Sequence, residues 1–158
     1  MRFRYIIDQI VRWILIILMT VIVLDVSLQV VSRYLFQSPL GFTDELAGFL
    51  LVWVGLLGSA YATGEKQHLA IDLISGSLTP KTKRYMDLLI NFFVVAFALG
   101  VLGVGGVWLV YTSFIFGQVS ASLQVSLGYV YLVVPISGLL IAYYSIDNTY
   151  NELHTATQ

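Results

Sequence analysis

The sequence predicts an all-α integral membrane fold with four transmembrane helices, and three observations carry that expectation. Hydrophobic residues make up 58% of the 158 and charged residues only 11%, where a soluble domain has about 45–50% and about 25%. Four apolar runs each reach the roughly 20 residues that a helix needs to cross a bilayer. None of the runs shows the period-two alternation of a barrel strand, and in lipid only helices or closed barrels satisfy their own backbone. No polar stretch is long enough to build a soluble domain, so residues 1–158 read as one transmembrane unit without internal repeats.

The first span is read over Val11–Phe36. Arg2, Arg4 and Arg12 precede its apolar core, as they would in a secretion signal. The apolar run resumes after Asp25 and meets no small-residue cleavage site, so an uncleaved anchor is expected. Ser38, Pro39 and Gly41 break the chain. The second span, Asp44–Thr63, opens with Thr43 as a capping residue and with Asp44 and Glu45 at the positive end of the helix dipole. Gly64–Leu78 follows. Leu69, Ala70, Leu73, Ile74 and Leu78 share one face there, with Glu65, His68, Asp72 and Ser75 opposite. This pattern predicts a short amphipathic helix over about 65–78, lying in the cytoplasmic interface. Thr79-Pro80 starts the third helix, whose span is read over Tyr85–Phe116. The fourth, Leu127–Ile146, contains Pro135, where a kink is expected. The first and third runs exceed a straight crossing and must tilt or project.

Orientation follows from the basic residues. Arg2, Arg4 and Arg12 precede span one, and Lys66, Lys81, Lys83 and Arg84 lie between spans two and three. The opposite side holds only Arg33. The positive-inside rule then places both termini in the cytoplasm of a bacterial inner membrane.

Few residues carry chemistry. Asp25 falls within the first span, where a carboxylate is expensive. Gln29 and Arg33 follow at i+4 and i+8 on one face. Two readings stand: a proton or cation site, or a polar stripe that joins helices, with Asn91 of span three as one conceivable partner. His68 and Asp72 have i, i+4 spacing, but a metal needs three or four ligands, and a surface pair is the simpler reading. Asp44 and Glu45 are adjacent and point to different helix faces, poor geometry for a catalytic carboxylate pair. Small residues at Gly55, Ser59 and Thr63 and at Ala96, Gly100, Gly103 and Gly106 permit close helix approach. Trp53, deep in its span, is expected to pack against protein. With no cysteine, thiolate metal sites and disulfides are excluded. No nucleophile–base set, phosphate loop or dinucleotide motif is present, so neither enzyme activity nor a cofactor is expected. The net charge of -1 gives no reason to expect nucleic acid.

Arg33-Tyr34-x-Phe36, Ser38-Pro39-Leu40, Thr43-Asp44-Glu45-Leu46-Ala47, Val52-Trp53, Gly58-x-Ala60-Tyr61-Ala62 and His68-x-x-x-Asp72-Leu73 stand in this order. Together they resemble the small membrane subunit of tripartite ATP-independent periplasmic (TRAP) transporters, with weaker similarity through Tyr129-x-Tyr131 and Pro135-Ile136. Gly41-Phe42 departs from the bulkier aromatic residue common there, and Asp25 is not typical. The resemblance implies a non-catalytic scaffold paired 1:1 with a large elevator-type membrane subunit that holds the substrate and sodium sites. It also implies a periplasmic substrate-binding protein, a carboxylate-bearing solute, and anchoring in membrane lipids. The residues expected to meet the large subunit or brace the bundle are Asp25, Gln29, Arg33, Tyr34, Phe36, Pro39, Asp44, Glu45, Trp53, His68 and Asp72. One rival reading is a self-sufficient proton-coupled multidrug-type transporter acting as a homodimer through Asp25. Another is a structural subunit of a different membrane complex, such as a respiratory one.

Overall fold

The computed structural model describes residues 2–35, 41–65 and 80–155. The helices are α1 (Arg2–Leu35), α2 (Gly41–Gly64), α3 (Pro80–Phe97), a π-helical segment (Ala98–Gly105), α4 (Gly106–Ile115), α5 (Leu127–Tyr131) and α6 (Val133–Thr155). Four stretches are long and apolar enough to cross a membrane: Arg4–Leu35, Gly41–Gly64, Tyr85–Ile115 and Leu127–Tyr150. The expected interfacial helix over 65–78 lies almost wholly outside the described residues.

The helices stand in single file. α1 packs on α2, α2 on α6, and α6 on the third span from α3 through α4. The first and third spans share no substantial contact, so the fourth is the most deeply buried. This is a ribbon of helices with two broad exposed faces, both apolar: Ile17, Val23 and Leu24 on α1 and Phe92, Val104 and Trp108 on the third span are all exposed. In water such a surface would drive aggregation; in a bilayer it meets lipid or another membrane protein at no hydrophobic cost.

The α1–α2 contact has a heptad register. The residues of α1 removed from solvent include Val11, Leu15, Leu18, Ile22, Asp25, Gln29 and Ser32, while their neighbours are mostly exposed. Steps of four and three keep a straight seam along a partner helix, the pattern of a left-handed helix pair. Arg4 and Asp8 continue the seam toward the amino end.

Two helix boundaries differ from expectation. Thr43 lies inside α2 and is fully buried, because the helix begins at Gly41. α1 begins at Arg2 rather than near residue 11. Its basic first turns continue the helix, since Arg is a good helix former.

The helical hydrogen bonding of the fourth span is interrupted at Leu132, between α5 and α6, while Leu132 keeps helical torsions (φ −55°, ψ −29°). Pro135 accounts for this. It has no N–H to give to the carbonyl of Tyr131, and its ring crowds that carbonyl. The next bond, from the Ile136 amide to the Leu132 carbonyl, is stretched to 3.4 Å. The Trp53 indole donates to the Val130 carbonyl at 3.0 Å, tying α2 to the turn before the break.

The π-helical segment is the feature that the sequence reading did not anticipate. Each π turn holds an extra residue, which costs packing inside the helix and is rare beyond a single turn. Here it faces Gly138 of α6. A Cβ on Gly138 would lie 2.7 Å from the Ala98 carbonyl oxygen and 3.0 Å from the Gly103 nitrogen. One turn on, a Cβ on Gly106 would lie 2.9 Å from the Pro135 ring. The two spans therefore approach backbone to backbone, and the small side chains of Ala98, Gly103, Gly106 and Gly138 make that approach possible.

Candidate functional site

The polar side chains gather at the two ends of the ribbon. At the end that holds the α1–α2 connection, Glu45 rises from just past the first turn of α2 toward the 117–126 loop. Its carboxylate accepts the amides of Ala121 (3.0 Å), Ser122 (2.8 Å) and Leu123 (3.0 Å). The loop is a tight hairpin: the Ser120 amide donates to Val125 and the Leu127 amide to Gln118, both at 2.9 Å. Gly117 and Gln124 take positive φ angles of 57° and 54°. Three successive amides converging on one carboxylate form a nest, and charge-assisted bonds of this kind are stronger than neutral ones. Glu45 thus holds the turn between spans three and four against span two.

Asp44 points elsewhere, as expected of an adjacent residue. It accepts a hydrogen bond from the Gln29 side-chain amide of α1. Asp25, one turn earlier on the same seam, is buried. Asn91 is not its partner: the Asn91 carbonyl oxygen accepts from the Ser145 hydroxyl at 2.9 Å, joining α3 to α6. Arg33 and Tyr34 are exposed, and Ser32 takes the seam position beside them. The stripe read at 25, 29 and 33 is therefore 25, 29 and 32. Trp53 is half-buried against α5 through the bond described above. Phe36, Pro39, His68 and Asp72 lie outside the described residues. The structure brings Gln29 to Asp44 and leaves Arg33 apart from Asp25.

The opposite end, with the two termini, holds a polar clasp. Arg4 donates to the Asp147 carboxylate of α6 and to the Gly64 carbonyl at the end of α2. Its guanidinium also lies 5.9 Å from the centroid of the fully buried Tyr144 ring. The Tyr144 hydroxyl donates to Asp8 at 2.6 Å, and the Asn148 side-chain amide donates to the Thr63 carbonyl at 2.8 Å. Gly64 leaves room for the Tyr144 ring, which a Cβ would meet at 2.9 Å. Three helices from distant parts of the chain are joined here. Sequence reasoning used Arg4 only as a topology signal and missed its partners. The available signal was the i, i+4 pair of Arg4 and Asp8.

Among the described residues, no group of three or more His, Asp or Glu side chains is placed to hold a metal ion. The open groove beside the π segment, lined by Leu99, Val104, Val107, Trp108, Pro135 and Leu139, has a volume of about 610 Å³ and is apolar. Apart from the Trp108 indole and the Tyr111 hydroxyl, its lining has no polar side chain to orient a solute. Its chemistry is that of packing, and the polar sites at either end are internal ties.

Comparison with known proteins agrees with this picture. The family model described as "Tripartite ATP-independent periplasmic transporters, DctQ component" matches residues 19–155, most of the chain. A "Sialic acid TRAP transporter permease protein SiaT" of Haemophilus influenzae (strain 86-028NP) is 33% identical over 66 residues, covering 42% of this chain and 11% of that protein. A "Putative TRAP transporter small permease protein" of Haemophilus influenzae (strain ATCC 51907 / DSM 11121 / KW20 / Rd) is 36% identical over 55 residues, covering 35% of this chain and 34% of that protein. The matched segments thus span about a tenth and about a third of these relatives. With four apolar spans, no strand among the described residues, and a family match over most of its length, the chain belongs to the DctQ component family, the small permease subunits of TRAP transporters.

Proposed function

We propose that this chain is the static scaffold of a sodium-coupled TRAP transporter for a carboxylate-bearing solute. It pairs 1:1 with a large elevator-type membrane subunit, which contains the substrate and sodium sites. A periplasmic binding protein delivers the solute. The sialic acid named in one relative is an acid of the expected class, and substrate choice resides in the other chains. The chain is not an enzyme; it acts by position, in the inner membrane, with both termini in the cytoplasm.

The observation that carries this reading is the ribbon tied at both ends. A domain that slides through a membrane needs a neighbour that does not tilt with it. The Glu45 nest fixes one end of spans two to four. The Arg4–Asp8–Tyr144–Asp147 clasp fixes the other end of spans one, two and four. The two broad apolar faces give one surface to lipid and one to the large subunit. Interfacial aromatics such as Tyr5, Trp13 and Tyr150 are exposed where they can resist tilt.

The test is purification of the tagged chain in mild detergent from its native membranes, with the mass of each stoichiometric partner determined. One large polytopic partner at 1:1 is expected. A homodimer without such a partner overturns the scaffold reading and favours the self-sufficient transporter acting through Asp25.

A further inference from the structure

Small permease subunits of this family associate with a large one, so another membrane protein covers part of the ribbon. Shape separates its exposed surfaces. The outward side of α1, with Val23 and Leu24, is the convex flank of one helix. The third and fourth spans instead enclose a furrow. Hollows of about 500, 610 and 550 Å³ follow one another between these two spans. Phe92 and Ile146 line the first, Val104 and Leu139 the second, Ile115 and Leu132 the third. The second and third share Val107, Tyr111 and Pro135 and so form one groove. On the fourth span Leu132, Leu139 and Ile146 recur every seven residues, which keeps them on a single helix face.

The π segment keeps the furrow straight. Seven residues make nearly two full turns of α-helix, so an unbroken helix would carry the line from Leu99 to Gly106. Gly106 is instead buried against Pro135, and Val107, one position later, lines the groove. The extra residue of the π segment accounts for that shift.

Length and composition select the occupant. From Leu88 to Ile115 the furrow follows the third span for roughly 40 Å at 1.5 Å per residue, more than the roughly 30 Å of hydrocarbon. A lipid tail enters from one leaflet and ends near the midplane, whereas a crossing helix fills the whole height. The rings of α1 stand toward its ends, with none between Trp13 and Tyr34, as in an interfacial belt facing lipid. The third span exposes Phe92, Phe93 and Phe97 well inside its length, and aromatic side chains are enriched where proteins meet.

We propose that the furrow between the third and fourth spans seats a transmembrane helix of the large subunit, and that α1 faces lipid. The identity of the occupant rests on the scaffold reading above; the choice of face does not.

The tagged full chain is produced in its native membranes with a benzophenone amino acid at Val104 or Leu139 in the furrow, or at Val23 or Leu24 on α1. All four positions are exposed. The membranes are irradiated intact, and the cross-linked peptides are sequenced. The furrow positions should join an apolar transmembrane segment of the co-purifying large subunit, and the α1 positions should not. Large-subunit adducts from α1 alone, or equally from both places, overturn the assignment and leave the scaffold reading standing. Adducts to lipid alone, or to a second copy of this chain, at the furrow overturn it as well. Loss of the large subunit from all the preparations, the wild type included, overturns both. A second measurement uses bulk: Val104→Trp fills the furrow, and Val23→Trp is its control on α1. Recovery of the large subunit should fall about tenfold with the first and stay unchanged with the second; full recovery with Val104→Trp overturns the proposal.

Discussion

Gly138→Ala is the substitution whose consequence the structure determines most directly. The added methyl would sit 2.7 Å from the Ala98 carbonyl oxygen, 2.8 Å from the Leu102 Cβ and 3.0 Å from the Gly103 nitrogen. Two of these atoms are backbone, so no side-chain rotation relieves the contact; α6 must move away from the π segment. Overpacking of this kind costs about 1–3 kcal/mol, against a gain of roughly 0.5–1 kcal/mol from replacing a helical glycine by alanine. The net loss lies between about 0 and 2.5 kcal/mol, centred a little above 1 kcal/mol, a factor of roughly 5–10 in the folded-to-unfolded ratio. Gly55→Ala is the matched control, because a Cβ there meets nothing within 4 Å. It should keep only the helix gain and be slightly more stable than the wild type. Both variants and the wild type would be unfolded in mild detergent and followed by far-ultraviolet circular dichroism. If Gly138→Ala unfolds together with Gly55→Ala, the backbone approach between the third and fourth spans is not the packing that holds them together.

Three further outcomes are expected. Glu45→Ala should speed hydrogen exchange at the amides of Ala121, Ser122 and Leu123 by at least tenfold and leave Asn91 in α3 unchanged; equal protection in both proteins would show that the nest does not hold the loop. Tyr144→Phe removes a hydrogen bond to Asp8 while keeping the ring, and should cost about 1 kcal/mol, read as a lower unfolding midpoint; no change would mean that the clasp rests on the bonds of Arg4 and Asn148. Because the chain has no cysteine, single cysteines at Ser122 and Thr157 can report orientation. A membrane-impermeant thiol reagent added outside intact spheroplasts should label only Ser122→Cys, and labelling of Thr157→Cys instead would invert the topology.

The four spans were legible because hydropathy is a local property and their lengths are set by the bilayer. The interrupted hydrogen bonding before Pro135 was legible for the same reason: its cause lies in the proline ring itself. The α1 seam was harder to see. In a soluble helix, polar neighbours would outline Val11, Leu15, Leu18 and Ile22, but in a membrane helix the outward face is equally apolar, and the heptad has no contrast. Only Asp25 and Gln29 stood out. Arg33 then completed an i+8 pattern that the structure replaces with Ser32, one position away. The π segment was read as ordinary helix with small residues. It lies against Gly138, from a helix more than 30 positions later, a proximity that no local pattern reports. Glu45 was read as a partner of its own helix dipole, since no local pattern reports amides 76 to 78 residues away. A still longer separation, 143 residues, hid the clasp of Arg4 with Asp147.

Single-file packing has a mechanical consequence. In a closed four-helix bundle each helix touches two others and the cross-section resists bending in every direction. In this ribbon each end helix packs along its length on one neighbour, and α1 reaches α6 only through Arg4 and Asp8 at its tip, so cohesion is largely a sum of nearest-neighbour contacts, as in a stacked repeat array. Such a strip is stiff against shear within its own plane and compliant across it, like a slatted blind. The Glu45 nest and the Arg4 clasp stiffen the slats at their tips, while their middles remain free to follow a curved surface. A part built this way has the shape that the proposed scaffold role asks for: it can conform to a rounded neighbour over its whole height.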